Sequence, residues 1–557
     1  MSYKKQNFVD DQILTADHLN HIEDGIENLE QNKADKTELF SGSYEDRVII
    51  YPKYSQEEIQ ALLDEKGSLV FLPGNYNVNL NDDNMGYIVG SNTRIDFMDG
   101  AILSLVTKNT SFYHIVSVSG ENIIINRPQI IGDRHTNSLT SGEWGHGISI
   151  MDSYNVTIND GYIKDCFGDG IYVGGTNDRS NYIYINNVIC DNNRRQGISL
   201  VNCHDVYVYQ CVLSNTNGTL PEAGLDIEPN SNDDSAYNIY VDKCEIFNNN
   251  GEGIDVLFSK QINITDSKIY NNNKLGIHIR GSVERPSDIS VSNCNIFDNV
   301  NGAFSCFDFS TAKLMNNMIA SSSDAACFRY YLTGEKRQVV ISNNIINITN
   351  GRLYHWASAE NISETIFNYN MVTFDGECLP TNFYGKISQF NGNIIKVNNV
   401  SASGNPERSV FINFVNKAQG YNNIFQSNIS TKMFINNMTG SNNIYSEKLA
   451  GKANFGGELI DNLTDMYYIQ PYTTDTLPSM YSLGETLSLA NGDQNLPCAT
   501  KQALLKTFRS SNASAYARFV IQFCYPANAS DANIYMRRSA TDTTWGEWFV
   551  IPMLSLT

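Results

Sequence analysis

A chain of 557 residues, 41% of them hydrophobic, can bury a large core and can form more than one domain. Its net charge of −21 argues against nucleic acid or an anionic membrane as a partner, because both attract basic surfaces. No apolar run approaches the ~20 residues of a membrane-spanning helix. The first residues lead into Asn7 and Asp10 rather than into an apolar segment, so we expect no signal peptide.

Residues 10–33 are predicted to form a helix with an apolar seam at heptad spacing. The residues of the seam are Leu19, Ile22, Ile26 and Leu29. This repeat covers less than two heptads, which is too short for a helix that stands alone. The seam can be buried by self-association, as in a homotrimer, or against the helix's own domain. We therefore predict that residues 1–48 form a helical segment for attachment or oligomerisation.

A second, shorter helix is predicted after residue 54. Ser55 to Glu58 has the form of a capping box, with Ser at the N-cap and Glu three residues later. We expect this helix to end at Gly67 and a strand and turn to follow over residues 69–76. A helix just before a stack of strands can cover the open end of the core.

From about residue 69 to residue 450, short β-runs alternate with Asn, Asp and Gly. Six runs begin with a glycine, at Gly147, Gly170, Gly197, Gly224, Gly253 and Gly276. These glycines lie 23 to 29 residues apart, and a period of this length indicates a solenoid. A second run with period-2 alternation precedes each glycine run, so we expect two strands per coil. No helix-length segment separates the strands, which argues against an α/β fold.

Asn clusters recur just before the glycine runs, for example at 248–250 and 271–273. Asn tolerates the left-handed backbone of a tight corner, and stacked Asn side chains can hydrogen-bond from coil to coil. Cys211, Cys244 and Cys294 share one position of the repeat, which predicts a column of small buried thiols. Free thiols are typical of a protein made in a reducing cytosol.

The repeat resembles the pectate-lyase-like right-handed parallel β-helix, and its phrases 168–174 and 224–230 resemble those of bacteriophage tail spikes and depolymerases. The resemblance covers about residues 69–450. It implies an all-β protein in which residues 49–455 form a right-handed parallel β-helix with an N-terminal capping helix. A short helical head and a small terminal domain would flank this solenoid.

Both ends of the chain also resemble phage proteins. Segment 8–26 is similar to the start of baseplate and fibre proteins of phages with Gram-positive hosts. Segment 457–557, with Trp545 and Trp548, resembles the knob at the ends of pyocin and phage tail fibres, which implies a knob-like β-rich domain over 456–557. The resemblance implies a virion tail protein that is made in the host cytoplasm, joins the baseplate through its N-terminal segment, and acts at the bacterial surface.

Matching positions of successive coils form columns with a spacing of about 4.8 Å. The first and third residues after each repeat glycine are apolar and must face the core. The residue before the glycine (column 1), the second residue after it (column 2) and the fourth (column 3) are therefore predicted to form an exposed face. The chemically active members are His146, Asp169 and Glu252 in column 1, Tyr172, Asp226, Asp255 and His278 in column 2, and Glu228 and Arg280 in column 3.

Asp226 and Asp255 are predicted to be vertical neighbours in column 2. Two carboxyls this close raise each other's affinity for a proton, which favours one acid and one base. Glycosidases use carboxyl pairs ~5–5.5 Å or ~6.5–9.5 Å apart, and pairs on this face can reach either range. We predict that Asp226, Glu228, Asp255 and Asp169 are catalytic.

The residues predicted to bind substrate are Tyr172, Glu252, His278, Arg280, His146 and Trp144. His278 and Arg280 could bind an acidic sugar or a developing negative charge. Trp144 could stack on a sugar ring or could cover the core. The acidic cluster could alternatively bind Ca²⁺ through its oxygen ligands, and we predict no other cofactor.

The leading functional prediction is a tail spike that binds and cleaves a bacterial surface polysaccharide by hydrolysis. The acidic cluster supplies an acid and a base, whereas a lyase uses Lys, Arg or Tyr, a role open to Tyr172 and Arg280. A non-catalytic glycan-binding fibre of the same fold and a bacterial polyuronate epimerase are the open alternatives.

Overall fold

The computed structural model describes the solenoid and parts of the segments that follow it. It describes residues 47–322 except 177–178, 231–234 and 283–286, and then strands separated by gaps up to residue 551. The predicted helix at 10–33 lies outside the described residues. The domain boundaries at 48 and 455 and the homotrimer stay predictions.

Three parallel sheets form the solenoid, and the chain passes through them in turn, so that each coil adds one strand to each sheet. The sequence predicted two strands per coil, and this was wrong. The missed strand is short: Tyr162–Lys164, for example, has only 3 residues, and only Ile163 among them is buried. One inward side chain is too few to produce a recognisable alternation.

The first sheet comprises Val48–Ile50, Ser68–Phe71, Arg94–Phe97, Glu121–Asn126, Tyr154–Asn159, Ser180–Asn186, Cys203–Tyr209, Ala236–Asp242, Lys260–Thr265, Ser287–Ser292, Phe309–Met315, Gln338–Ser342, Glu364–Asn368 and Ile387–Gln389. The second sheet comprises Gly74–Val78, Ala101–Leu105, Gln129–Ile131, Tyr162–Lys164, Ile189–Asp191, Val212–Ser214, Glu245–Phe247, Lys268–Tyr270, Asn295–Phe297, Met318–Ser321, Ile345–Ile348, Met371–Asp375, Ile394–Asn398, Ile424–Ser427 and Ile444–Tyr445. The third sheet, which contains the glycine runs, comprises Met85–Val89, Phe112–Val118, Trp144–Met151, Ile171–Gly174, Ile198–Leu200, Leu225–Ile227, Ile254–Leu257, Ile277–Arg280, Phe304–Phe307, Ala326–Tyr331 and Arg352–His355.

Two smaller sheets follow along the chain. One comprises Thr381–Phe383, Val410–Gln419, Ser430–Thr439, Ala450–Phe455 and Glu458–Ile460. The other, whose strands pair antiparallel, comprises Gly484–Asn491, Gln502–Arg509, Val520–Pro526, Ile534–Thr541, Thr544–Trp545 and Phe549–Ile551. The C-terminal segment is thus rich in β-strands, and its likeness to a knob stays a prediction.

The register of the third sheet follows the glycine repeat, as predicted. Ile148 pairs with Ile171, which pairs with Ile198, and the same alignment continues through Leu225 to Ile254. These side chains are fully buried, so the first and third residues after each glycine form the core. The residues between them point away from the core because successive side chains of a strand alternate in direction.

The capping helix is Gln56–Lys66. Ser55 Oγ accepts a hydrogen bond from the Glu58 N–H at 3.2 Å, and the Glu58 carboxylate accepts one from the Ser55 N–H at 2.8 Å. Gly67 ends the helix with a left-handed φ of 62°. Ile59 and Leu63 are buried against the first coils, so the predicted helix and its covering role are confirmed. Within the described part of the chain, no helix has the length and apolar character to cross a membrane.

The corner between the first and second sheets holds a continuous polar column. Its Asn members are Asn317, Asn344, Asn370, Asn393, Asn423 and Asn443. Cys211, Cys244 and Cys294 hold the same position in earlier coils, and the Cys294 N–H donates to Asn317 Oδ1 at 2.8 Å. The nine cysteines whose side chains the structure describes are free and buried, which confirms the predicted column of thiols.

A second Asn column lies at the corner before the third sheet, as the Asn clusters predicted. Asn249 Nδ2 donates to Asn272 Oδ1 at 2.9 Å, and Asn272 Nδ2 donates to Asn299 Oδ1 at 2.9 Å. Asn272 also accepts from the Asn249 N–H and donates to the Ile246 carbonyl. One buried side chain therefore satisfies backbone groups of neighbouring coils.

We expect Asn272→Leu to destabilise the solenoid, because the Asn249 N–H and the Ile246 carbonyl would lose their partners inside the protein. Each orphaned group costs about 1–3 kcal/mol. Thermal and denaturant unfolding measure the loss. The control is Asn273→Ala, a change at the exposed neighbouring residue. Equal stability of the two variants would contradict the structural role of the Asn column.

Candidate active site on the third sheet

The predicted column 2 exists in the structure. Ser199 pairs with Asp226, Asp226 pairs with Asp255, and Asp255 pairs with His278 on successive strands. Column 3 is also aligned at its end, where Leu257 pairs with Arg280. The glycine repeat thus brings Asp226 and Asp255 onto neighbouring strands, about 4.8 Å apart.

The prediction that these columns form an exposed face is wrong. Asp169 is 0% exposed, Asp226 3% and Asp255 8%, and both Glu252 and His146 are buried as well. These side chains point away from the apolar core, but polar neighbours such as Arg195, Gln196 and His278 contact them. Column 3 is more open, with Glu228 half-buried and Arg280 exposed.

The long connection over residues 132–143 precedes the strand Trp144–Met151 and reaches the site through Glu143, which contacts Arg195. Arg194 fastens it from two coils away, donating to the Gly142 carbonyl at 2.6 Å and to the Thr140 carbonyl at 3.0 Å. The Arg194 backbone carbonyl accepts from the Thr219 N–H at 2.9 Å. Arg194 therefore links the connection 132–143 to the connection that contains Thr219.

Asp169 is held by two side-chain donors. Arg195 Nη1 lies 3.3 Å from Asp169 Oδ2, and Ser199 Oγ donates to the same oxygen at 2.9 Å. Burial raises the pKa of Asp169 to about 6, although Arg195 and Ser199 favour its charged form. Arg195 also lies 3.5 Å from Glu143 Oε2. Arg195 is thus a cation between two acids.

His146 and Tyr172 form an aromatic floor beside Asp169. Their rings stack at 4.8 Å, and His146 Nδ1 accepts a hydrogen bond from the Asp169 N–H at 3.2 Å. Burial lowers the pKa of His146 to about 3 and that of the neighbouring His114 to about 3. Burial raises the pKa of Tyr172 to about 12. All three rings are therefore neutral near pH 7.

Asp226 is the least satisfied acid of the site. Gln196 Nε2 donates to its Oδ2 at 2.7 Å, while its Oδ1 is buried and has no hydrogen-bond partner. Burial raises the pKa of Asp226 well above its ordinary value, and the charges of Asp255 and Glu228 raise it further. The raised pKa therefore favours the protonated form of Asp226 over its ionised form.

Asp255 and Glu252 have basic partners from the next coil. His278 Nδ1 lies 2.9 Å from Asp255 Oδ1, and Lys274 Nζ lies 3.2 Å from Glu252 Oε2. Glu252 is therefore paired with Lys274, apart from the contact between Asp255 and His278.

Glu228 remains at the open edge of the site. Burial and the nearby Asp255 raise the pKa of Glu228, against the opposing charges of Arg195 and Arg280. Asp226, Asp255 and Glu228 thus form one electrostatically coupled group.

Trp144 is 54% exposed, so the alternative that it covers the core is wrong. Its ring meets the exposed Phe112 edge to face at 6.3 Å. Both residues lie on the third sheet, and the strand of Trp144 is three strands, or about 14 Å, from that of Asp226. Trp144 also lies five residues, or about 16 Å, along its strand from Ser149, the residue in register with the acids. The aromatic surface therefore lies to one side of the carboxyl column.

Sequence reasoning missed several partners of the acids: Arg195, Gln196, Ser199 and His114. Gln196 and Ser199 occupy columns 1 and 2, but their amide and hydroxyl groups gave no sign of chemistry. His114 is in register with His146, yet its strand lacks the glycine that marks the repeat. The sequence Arg194-Arg195 before a repeat glycine is the only signal that could have pointed to the cations.

No three His, Cys, Asp or Glu side chains of the described residues converge in an arrangement that could hold a metal ion. The carboxyl group instead has Arg195, Gln196, Ser199 and His278 as partners. Calcium binding stays an untested prediction.

Comparison with known proteins identifies the solenoid. Residues 77–282 and 222–367 match the model of the family described as "Right handed beta helix region". Residues 468–550 match the third domain of the phage-like element PBSX protein XkdV.

Two proteins of Bacillus subtilis (strain 168) are similar in sequence. The uncharacterized protein YclG is 28% identical over 320 residues, which are 53% of this chain and 52% of YclG. The SPbeta prophage-derived uncharacterized protein YorA is 27% identical over 170 residues, 26% of this chain and 29% of YorA. The chain thus spans about half or less of these relatives.

Among solved structures, a mutant tailspike protein of E. coli bacteriophage HK620 is similar, with 9% identity and a TM-score of 0.48. The match covers 91% of this chain and 90% of that protein. The family match extends over more than half of the sequence and agrees with three parallel sheets in register. The resemblance inferred from the repeat is confirmed, and the chain belongs to the right-handed β-helix family.

Proposed function

We propose that this chain is a phage tail-spike protein that binds a bacterial surface polysaccharide and cleaves it by glycoside hydrolysis. The match of residues 468–550 to a domain of a phage-like element and the similarity to a prophage-derived protein support a role in a virion tail. The observation that carries hydrolysis is Asp226, a buried acid with a raised pKa directly beside Asp255.

In the proposed reaction, Asp226 is the general acid and Asp255 is the nucleophile. The glycosidic C–O bond breaks, the proton of Asp226 moves to the leaving oxygen, and Asp255 bonds to the anomeric carbon. Water then displaces Asp255 and returns a proton to Asp226. His278 orients Asp255 through the contact at 2.9 Å.

The spacing of the two carboxyls favours retention of configuration. Strands about 4.8 Å apart allow the two carboxyls to move to the ~5–5.5 Å of retaining enzymes once a sugar ring lies between them, which is a smaller change than the ~6.5–9.5 Å of inverting enzymes would require. Glu228 and Arg280 form the open edge of the site, from which a sugar ring would enter.

The glycan is proposed to lie along the solenoid axis. Trp144 would stack on a sugar ring at one end, and His278 and Arg280 would bind polar groups at the other, five strands or about 24 Å away along the solenoid axis. Tyr172, His146 and Glu252 would line the site between these ends. The N-terminal segment would join the tail, and a homotrimer would present three such surfaces.

A lyase is less well supported. An eliminating base must accept a proton, but the pKa of Tyr172 is raised to about 12 by burial and its ring stacks on His146. Arg280 retains its charge and would stabilise an anion rather than act as a base. The acidic pair is therefore the stronger candidate for the chemistry.

We expect Asp226→Asn to lower kcat by about 10²–10⁴, because the variant cannot donate a proton, and to leave polysaccharide binding intact. The first substrates are capsule and wall polymers of Bacillus subtilis, the source of both sequence relatives. Product sizing and cell binding measure the two effects. The control is Asp82→Asn at an exposed turn.

Undiminished cleavage by Asp226→Asn would remove the proposed acid. An unsaturated sugar in the product would replace hydrolysis by elimination. Binding without any product from the wild-type protein would leave a glycan-binding fibre.

Cleavage should stop when Asp226 loses its proton, and burial raises the pKa of Asp226. In the pH profile of kcat/KM, the alkaline limb is therefore expected well above the ordinary carboxyl pKa. Glu228→Gln removes a negative neighbour that raises this pKa. The limb of this variant should therefore move to lower pH. Rates measured across pH with both proteins decide the point, and an unmoved or upward-shifted limb would contradict the assignment.

The newly formed reducing end is expected to keep the anomeric configuration of the cleaved bond. Proton NMR of the product within the first minutes of reaction, before mutarotation, measures it. Asp255→Asn should be inactive in the same assay. An inverted product would exclude Asp255 as nucleophile and would favour a water activated by a more distant carboxylate.

A further inference from the structure

Four polar side chains form a line across consecutive coils of the third sheet. They are Gln196, Asp226, Asp255 and His278. The line is buried over its first three members and reaches partial exposure at His278. At one end Gln196 contacts one oxygen of Asp226, and at the other His278 contacts one oxygen of Asp255. The second oxygen of each carboxyl group lies at the centre of the line and has no hydrogen assigned to it.

The orientation of Gln196 is fixed by the backbone. Its Oε1 accepts the Ala223 N–H at 2.9 Å, so the amide NH₂ must face Asp226 Oδ2, 2.7 Å away. Asp226 Oδ2 is therefore an acceptor. Oδ1 is the remaining oxygen, and it is buried without a partner.

At the other end, His278 Nδ1 lies within hydrogen-bonding distance of Asp255 Oδ1, at 2.9 Å. Asp255 and Asp226 are register partners, so their free oxygens lie on neighbouring strands of one column. The other charged groups that face Asp226 are Arg195, Glu228 and Asp169, one cation and two acids. Two adjacent buried carboxylates would repel each other strongly, so the column requires a proton.

We propose that Asp226 Oδ1 holds one proton that it shares with Asp255, and that Gln196 is the positioning residue that assigns the proton to this oxygen. The inference rests on the proposed function in one respect: it states which carboxyl is the acid at the start of the reaction. It adds Gln196 to the residues that control the site. Its test needs no substrate.

The test compares thermal stability across pH for the wild type and Asp226→Asn. Asn keeps the shape of Asp, can accept from Gln196, and can donate to Asp255, but it holds no titratable proton. In the wild type the raised folded-state pKa means that the unfolded chain loses this proton first. Stability is therefore lost as pH rises towards the folded-state pKa. The Tm advantage of Asp226→Asn should grow by about 2 °C or more between about pH 5 and pH 8.

Two further backgrounds test the neighbours. Asp255→Asn removes the negative charge beside Asp226. In this background, the Tm advantage of Asp226→Asn should therefore increase less with pH. Gln196→Met removes the donor that stabilises the ionised form of Asp226. In this background, the Tm advantage of Asp226→Asn should therefore increase more with pH. Gln129→Met, a half-buried position on the second sheet, is the matched control and should change neither. If Gln196→Met does not fold, Gln196→Asn, whose amide is too short to reach Asp226, replaces it.

A Tm advantage that is independent of pH would overturn the buried proton. If Asp255→Asn leaves the growth of the Tm advantage with pH unchanged, the proton is not shared with Asp255. If both Gln196 variants leave this growth unchanged, Gln196 does not position the proton. If the predicted pattern holds and no polysaccharide is cleaved, the proton assignment stands while the hydrolase proposal fails. If cleavage is observed without the pattern, the reverse is true.

Discussion

The parallel, in-register pairing of successive coils is the constraint on which the rest of this molecule depends. Because each strand repeats the alignment of the one before it, a side chain lies between the side chains at the same repeat position of the coils above and below. Buried Ile and Val columns follow from this rule, and so do the two Asn columns at the corners. The same rule forces Asp226 and Asp255 together.

A column of like charges is unfavourable, and the site balances it in three ways. Arg195 supplies a cation beside Asp169, while Ser199 and Gln196 donate to single oxygens of Asp169 and Asp226. The remaining repulsion at Asp226 is relieved by a proton, because burial penalises its ionised form. The chemistry proposed for the site is thus a direct consequence of stacking acids in a buried column.

The glycine period was sufficient to predict the solenoid, the register of the third sheet and the vertical pairing of Asp226 with Asp255. The burial of these acids could not be predicted from the repeat, which includes neither the connection 132–143 beside Arg195 nor the Arg194 contacts that hold this connection. Neither has a periodic pattern. Gln196 was equally hidden, since an amide shows its role only through the atoms it contacts. The short strands of the second sheet carry too few side chains to show a period.

The central claim is that the β-helix places a shared proton between two buried carboxyls. The most direct measurement is a high-resolution crystal structure at neutral pH, in which the distance between Asp226 Oδ1 and the nearer oxygen of Asp255 is determined. A shared proton predicts an oxygen–oxygen distance of about 2.5–2.7 Å, with Gln196 on the other oxygen of Asp226. In the protein without substrate, a distance of more than ~3.5 Å between Asp226 Oδ1 and both oxygens of Asp255, or an Asp226 turned towards solvent, would contradict the account.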